Sequence, residues 1–83
     1  MIELTLLTTE GCHLCDEAML VLQGVIDPNQ YEVYLEDIAQ SEAMVEAYGL
    51  RIPVLRYDSS GAELNWPFSA EEVSHFIAPA SNG

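Results

Sequence analysis

The sequence predicts a small α/β domain with the element order β-α-β-α-β-β-α, in which helices flank a four-stranded mixed sheet. Three observations support this prediction. Short runs rich in Ile, Leu, Val and Tyr alternate with segments whose apolar residues recur at helical spacing. The first strand–helix–strand unit favours a right-handed parallel crossover, and two closely spaced strands near the end favour an antiparallel hairpin. The 83 residues suffice for one compact core. We expect it to span residues 1–78, followed by a flexible C-terminal tail at residues 79–83.

The first unit begins with a strand. Residues Glu3–Thr8 form a short apolar run that is followed by polar residues and Gly11, as is typical of a buried strand. A helix is predicted from Cys12 to about Ile26. Its apolar face is predicted to contain Leu14, Ala18, Val21, Leu22 and Val25. The helix ends at Asp27, because a residue that precedes a proline disfavours helical geometry.

The middle of the chain predicts a second strand and a short helix. A strand is predicted from Tyr31 to Ile38, because Tyr31, Val33 and Leu35 alternate with Glu32, Tyr34 and Glu36. The residues expected to face the core are Tyr31, Val33 and Leu35. Ser41 can cap a helix that runs to Tyr48, and the following Gly49 suits a C-terminal turn.

The last part of the chain predicts a hairpin and a final helix. Strands at Val54–Tyr57 and Ala62–Asn65 are joined by an Asp-Ser-Ser-Gly sequence, which is typical of a turn. The final helix is predicted over Ala70–Ile77. Ser69 and Glu72 have capping-box spacing at its start.

The charge of the chain excludes some classes of partner. Fourteen acidic residues and two basic ones give a formal net charge of −12. A potential of this sign repels phosphate backbones and anionic lipids, which argues against nucleic acids and membrane surfaces as partners. The first residues lack the basic and apolar regions of a signal peptide. We therefore expect a cytoplasmic protein, and we expect it to be a monomer.

Both cysteines, Cys12 and Cys15, lie in a C-x-x-C sequence where the first strand passes into the first helix. A helix N-terminus carries unpaired N–H groups and a partial positive charge, which favour a thiolate, the attacking species in disulfide exchange. In a reducing compartment such a pair indicates catalysis or metal binding rather than a structural bridge. Only His13 and His75 could complete a metal site. The sequence thus suggests a redox-active dithiol, with a structural metal site as the alternative.

The reactivity of Cys12 depends on opposing charges. The helix terminus favours the thiolate, whereas Glu10, Asp16 and Glu17 oppose it. We expect the pKa of Cys12 to lie below that of a free cysteine but well above those of the most oxidising dithiols. A protonated His13 would also favour the thiolate and so tune the redox potential of the pair. The alternative is an exposed histidine without a role.

Three short motifs carry a resemblance to a known family. They are Gly11-Cys12-His13-Leu14-Cys15-Asp16-Glu17, Ile52-Pro53-Val54-Leu55 and Trp66-Pro67-Phe68. With the element order, they resemble the glutaredoxin-like branch of the thioredoxin fold over almost the whole chain, and most closely a small bacterial group with G-C-x-L-C-D-E and W-P-F motifs. The resemblance implies that Cys12 is the catalytic nucleophile and Cys15 the resolving cysteine. It also implies a cis Ile52–Pro53 bond beside the dithiol, whereas sequence alone favours trans.

The resemblance implies substrate-binding residues as well. The backbone of Ile52, next to Pro53, would pair with an extended substrate segment. The other residues expected to bind substrate are Gly11, Trp66 and Ser69. Trp66 could equally close the core, and Ser69 could equally cap the last helix. No cofactor is required. Glutathione is a candidate co-substrate, although Thr9 stands where glutathione-binding relatives often carry a lysine.

The sequence therefore predicts a thiol–disulfide oxidoreductase that acts on protein or mixed disulfides through Cys12 and Cys15. Its partner would be a disulfide-bearing protein or a low-molecular-weight thiol. Two alternatives stay open. One is a redox-silent interaction module with the same fold, whose acidic surface docks a basic partner. The other is an iron–sulfur carrier ligated by Cys12.

Overall fold

The structure is a computed structural model that describes residues 1–78. Its elements in chain order are β1 (Ile2–Thr8), α1 (His13–Val25), β2 (Tyr31–Asp37), a 3-10 turn (Ile38–Gln40), α2 (Glu42–Tyr48), β3 (Val54–Tyr57), β4 (Ala62–Asn65) and α3 (Ala70–Ile77). The α/β class and the element order agree with the sequence prediction, which lacked only the 3-10 turn. The predicted flexible tail, residues 79–83, lies outside the described residues.

The four strands form one mixed sheet in the order β2-β1-β3-β4. The central strand β1 runs parallel to β2 and antiparallel to β3, and β3 and β4 form an antiparallel hairpin. The predicted parallel pairing of β1 with β2 and the predicted hairpin are therefore both confirmed. Strand β2 is left at an edge of the sheet, with β1 as its only partner strand among the described residues.

Successive side chains of a strand point to opposite sides of the sheet. Both faces carry buried apolar side chains, and helices cover both. On one face the sheet packs against α1 and α3. The buried residues of this main core are Leu4, Leu6, Ala18, Leu22, Tyr31, Leu55, Phe68, Val73 and Ile77. On the other face a smaller cluster of Leu7, Ile38 and Val54 packs against Met44 and Tyr48 of α2. Burying each leucine contributes about 1.5–3 kcal/mol relative to leaving it exposed.

Two leucines expected in the core are not there. Leu14 is 45% exposed, because the buried stripe of α1 is centred on Cys15, Ala18 and Leu22 rather than one position earlier. Leu35 is 60% exposed although it follows the predicted alternation, because it lies on the edge strand β2. The alternation of side chains along β2 thus predicts which face of the sheet Leu35 lies on, but it does not predict whether Leu35 is buried.

Gly49 ends α2 in a way that differs from the expected left-handed turn. Its φ of −53° lies in the right-handed helical region that any residue can adopt. A Cβ at this position would instead press against the carbonyl oxygen of Val45. Lack of space, rather than backbone freedom, therefore favours glycine here.

Among residues 1–78, no helix has the length and the apolar character needed to cross a membrane.

Candidate functional site

Residues from all four strands meet at one end of the sheet, where β1 passes into α1. The register pairs Thr8 of β1 with Asp37 of β2. It also pairs Leu7 with Val54 of β3, so that Pro53 lies beside the end of β1. The backbone N–H of Trp66 donates to the carbonyl of Pro53 at 3.3 Å. Since neighbouring strands lie about 4.8 Å apart, the residues that follow β1, precede β3 and follow β4 are brought together.

A tight turn leads from β1 to the first cysteine. The backbone N–H of Cys12 donates to the carbonyl of Thr9 at 3.3 Å, which closes the turn. Gly11 lies within it at φ 78°, in the left-handed region that side chains disfavour. No atom lies within 4 Å of the position that a Cβ would occupy at Gly11. The turn therefore requires glycine for its backbone conformation, and the space in front of it is open.

Cys12 and Cys15 are joined in a disulfide across the first turn of α1, with their Cα atoms 5.2 Å apart. Cys12 is the N-cap of the helix and is half-buried, whereas Cys15 is only 3% exposed. The backbone N–H of Cys15 donates to Sγ of Cys12 at 3.2 Å. The outer sulfur thus receives an N–H group from the helix terminus, and the inner sulfur lies behind it in the core.

The Ile52–Pro53 peptide bond is cis, as the resemblance implies, and Pro53 is buried. The expectation for the backbone of Ile52 needs a correction. Its N–H donates to the carbonyl of Tyr48 at 3.1 Å, because the chain turns sharply after α2. A substrate segment would therefore have to use the carbonyl of Ile52. The Trp66–Pro67 bond is also cis, which the sequence did not indicate, since an X–Pro bond is trans by default.

Trp66 and Ser69 both have structural partners. The Trp66 ring packs edge-on against Phe68, with ring centroids 5.0 Å apart, and remains half-buried. The hydroxyl of Ser69 accepts the backbone N–H of Glu72 at 3.1 Å, and the Glu72 carboxylate accepts the N–H of Ser69 at 2.8 Å. This is the predicted capping box of α3. Trp66 still presents part of its surface, whereas the Ser69 hydroxyl is engaged.

A polar cluster fixes the loop in front of Pro53. Glu63 accepts hydrogen bonds from the Tyr48 hydroxyl and from the Arg51 guanidinium, the latter at 2.9 Å. Arg51 also donates to Asn65 at 3.0 Å and lies over the Tyr48 ring. The hydrogen bond from Tyr48 and that from Arg51 hold the pKa of Glu63 below its ordinary value, and the bond to Glu63 raises the pKa of Tyr48. No periodic pattern connects these residues, so the cluster could not be predicted from the sequence.

Several carboxylates lie close to the two cysteines in sequence. Glu10, Asp16 and Glu17 are exposed, and so is His13, the first residue of α1. Asp37, at the end of β2, accepts a hydrogen bond from the Thr9 hydroxyl at 3.0 Å.

The structure also bears on the metal alternative. His13 lies at the start of α1, whereas His75 lies in the last turn of α3. Within residues 1–78, no three side chains of the types His, Cys, Asp or Glu are grouped so that they could hold a metal ion. The alternative of a metal site completed by both histidines therefore finds no such grouping in the part of the chain that the structure describes.

The fold and the site define a thioredoxin-like α/β domain with a C-x-x-C disulfide at the start of its first helix. The chain belongs to the glutaredoxin-like family, since the model of the Glutaredoxin-like domain (DUF836) matches residues 3–78.

Solved structures agree with this assignment. The chain is similar to protein XcR50 from X. campestris: its X-ray structure matches with a TM-score of 0.79 at 40% identity, covering 92% of this chain and 99% of that chain. The solution structure of XcR50 gives 0.79 at 38% identity, with 95% and 97% covered. Protein Ne2328 from Nitrosomonas europaea gives 0.76 at 25% identity, with 90% and 89% covered. No curated protein matches the chain.

Proposed function

We propose that the protein is a thiol–disulfide oxidoreductase, with Cys12 as the nucleophile and Cys15 as the resolving thiol. The observation that carries the proposal is the asymmetry of the two bonded sulfurs. Cys12 is half-buried at the helix N-cap, and Cys15 is 3% exposed beneath it. A substrate can reach the outer sulfur, while the inner sulfur is protected from solvent and held where it can attack Cys12.

The proposed reaction begins with the reduced pair. The Cys12 thiolate attacks one sulfur of a substrate disulfide and expels the other as a thiolate, giving a mixed disulfide. The Cys15 thiolate then attacks Sγ of Cys12, forms the intramolecular disulfide and expels the second substrate thiolate. The protein dithiol loses two electrons and two protons, and the substrate disulfide gains them. The C-x-x-C spacing suits the second step, because the two Cα atoms are 5.2 Å apart and a disulfide closes between them.

The helix terminus supports the first step. In the reduced protein, the Cys15 N–H that points at Sγ of Cys12 would donate a charge-assisted hydrogen bond to the thiolate. A helix N-terminus adds about 0.3–1 kcal/mol in favour of the anion at an exposed site, and up to about 2 kcal/mol at a partly buried one. Both contributions would favour the thiolate of Cys12 in the reduced protein.

A trapping experiment tests the assignment of roles. The reduced Cys15→Ser variant, incubated with an excess of bis(2-hydroxyethyl) disulfide, should accumulate a mixed disulfide on Cys12 that intact mass spectrometry detects. Wild-type protein should pass on to its internal disulfide, and the Cys12→Ser variant should form at least about tenfold less adduct, because Cys15 is buried. Equal adduct formation by the two variants would contradict the proposal. Absence of any reaction would favour a redox-silent interaction module.

We also propose the substrates, the contact residues and the compartment of the reaction. Protein disulfides or mixed disulfides are the proposed substrates, and Gly11, Ile52, Pro53 and Trp66 are the proposed contact residues. A cytoplasmic monomer that needs no cofactor is proposed, since a C-x-x-C pair serves exchange chemistry in a reducing compartment. The three motifs of the chain support membership of the small bacterial group with G-C-x-L-C-D-E and W-P-F motifs.

A further inference from the structure

We propose that the dithiol acts on disulfides within cationic polypeptide segments and discriminates against anionic thiols and disulfides, glutathione included. This inference rests on the proposed function and names its substrate class. It follows from the apolar and charged side chains that surround Cys12 and from the engagement of both arginines elsewhere.

Exposed apolar groups give the site a surface for a polypeptide. Leu14, two residues after Cys12, is 45% exposed, and Leu50 is fully exposed in the loop that leads to Pro53. Trp66 is half-buried and lies beside Pro53 through its backbone hydrogen bond. These residues belong to segments that the strand register brings to the same end of the sheet. A disulfide flanked by side chains can contact this surface, whereas a small thiol can use little of it.

With histidine counted as neutral, every charged side chain from Glu10 to Glu17 is acidic. Glu10, Asp16 and Glu17 are exposed on either side of the cysteines, and Asp37 lies at the adjacent strand end, where it binds Thr9. The surface around the nucleophile therefore complements a cationic segment and repels an anionic one.

The two basic residues of the chain do not offset these charges. Arg51 is bonded to Glu63 and Asn65, and Arg56 to Glu36 at 3.3 Å. A carboxylate of a small anionic thiol would have to compete with Glu63 for the guanidinium of Arg51. Among residues 1–78, both guanidinium groups are therefore already paired with carboxylates, which weakens their attraction for an anionic substrate and adds to the preference for cationic ones.

A matched pair of peptides tests the inference. Both contain the same disulfide, one with flanking lysines and the other with flanking glutamates, and oxidised glutathione serves as a third probe. Each is mixed with one equivalent of pre-reduced protein, and formation of the Cys12–Cys15 disulfide is followed in a single turnover. At an ionic strength of about 10 mM, we expect the lysine peptide to react at least about tenfold faster than the glutamate peptide and glutathione disulfide. The ratio should approach one at about 1 M salt, where charges are screened beyond about 3 Å.

Two variants separate local charge from net charge. Asp16→Asn removes a charge beside the dithiol, whereas Asp27→Asn removes one beyond the far end of α1, about 20 Å away for a helix of this length. Both change the net charge equally. We expect Asp16→Asn to lower the ratio of peptide rates and Asp27→Asn to leave it unchanged. The ratio cancels any change in the intrinsic reactivity of Cys12, because both peptides meet the same thiolate.

The outcomes distinguish the inference from the function on which it rests. Equal rates for the two peptides or a ratio that does not respond to salt would overturn the charge preference, and equal effects of the two variants would overturn its origin in the side chains around Cys12. Each of these outcomes would leave the oxidoreductase proposal standing. If neither peptide oxidises wild-type protein faster than it modifies the Cys12→Ser variant, the function itself fails and the inference fails with it.

Discussion

Replacement of Glu63 by glutamine tests the polar cluster that holds the loop before Pro53. Glu63→Gln keeps the shape of the side chain and one acceptor oxygen, so it removes mainly the charge. The side chains of Arg51 and Glu63 are 42% and 25% exposed, so their ion pair contributes about 0.2–1 kcal/mol. The hydrogen bond from Tyr48 is also weaker to a neutral acceptor than to a carboxylate. We expect a total loss of about 1 kcal/mol.

Thermal unfolding followed by circular dichroism measures this loss of unfolding free energy. For a domain of this size, about 1 kcal/mol lowers Tm by about 4–8 °C. Glu46→Gln is the matched control, because Glu46 is exposed on α2, and such surface changes stay within about 0.5 kcal/mol. The Tm of this control should fall by less than half as much. Equal shifts for the two variants would refute the role assigned to the cluster.

The Tm difference between wild type and Glu63→Gln should depend on pH, and the direction of this dependence follows from the pKa of Glu63. The pKa of Glu63 is lowered in the folded protein, so its carboxylate stabilises the fold at pH values above the pKa it has when unfolded. This contribution disappears as the pH falls through the lowered pKa. The Tm difference between wild type and Glu63→Gln should therefore be full near neutral pH and shrink in acid. A difference that is constant over this range would show that the charge of Glu63 is not its source.

Two further predictions concern the helix termini. Ser69→Ala removes the capping box of α3 and should cost about 1 kcal/mol, lowering Tm by about 4–8 °C, whereas Ser74→Ala on the same helix should not lower it. His13→Ala should make the Cys12–Cys15 disulfide less oxidising, because an imidazolium at the helix start would stabilise the thiolate of the reduced form. Equilibration with a thiol–disulfide buffer measures this potential, and an unchanged value would remove the tuning role.

The elements of the fold were predictable because each carries a local signal. The strand runs, the proline after α1 and the capping box at Ser69 all act over a few residues, and the structure places element boundaries within one residue of them. Burial was harder to predict, since it depends on which strand lies at the edge. Leu35 satisfies the alternation of β2 and is still 60% exposed, because β2 is an edge strand with β1 on one side only among the described residues.

In the candidate site, too, the local features were predictable from the sequence and the long-range ones were not. Cys12 and Cys15 are three residues apart, so one helical turn determines their asymmetry, and the sequence was enough to place one outside and one inside. The surroundings of the pair come from distant parts of the chain. The N–H of Ile52 donates to the carbonyl of Tyr48, and Glu63 of the hairpin accepts a hydrogen bond from Arg51. These long-range contacts determine which carboxylates and apolar groups lie exposed at this end of the sheet, and the proposed selectivity rests on them.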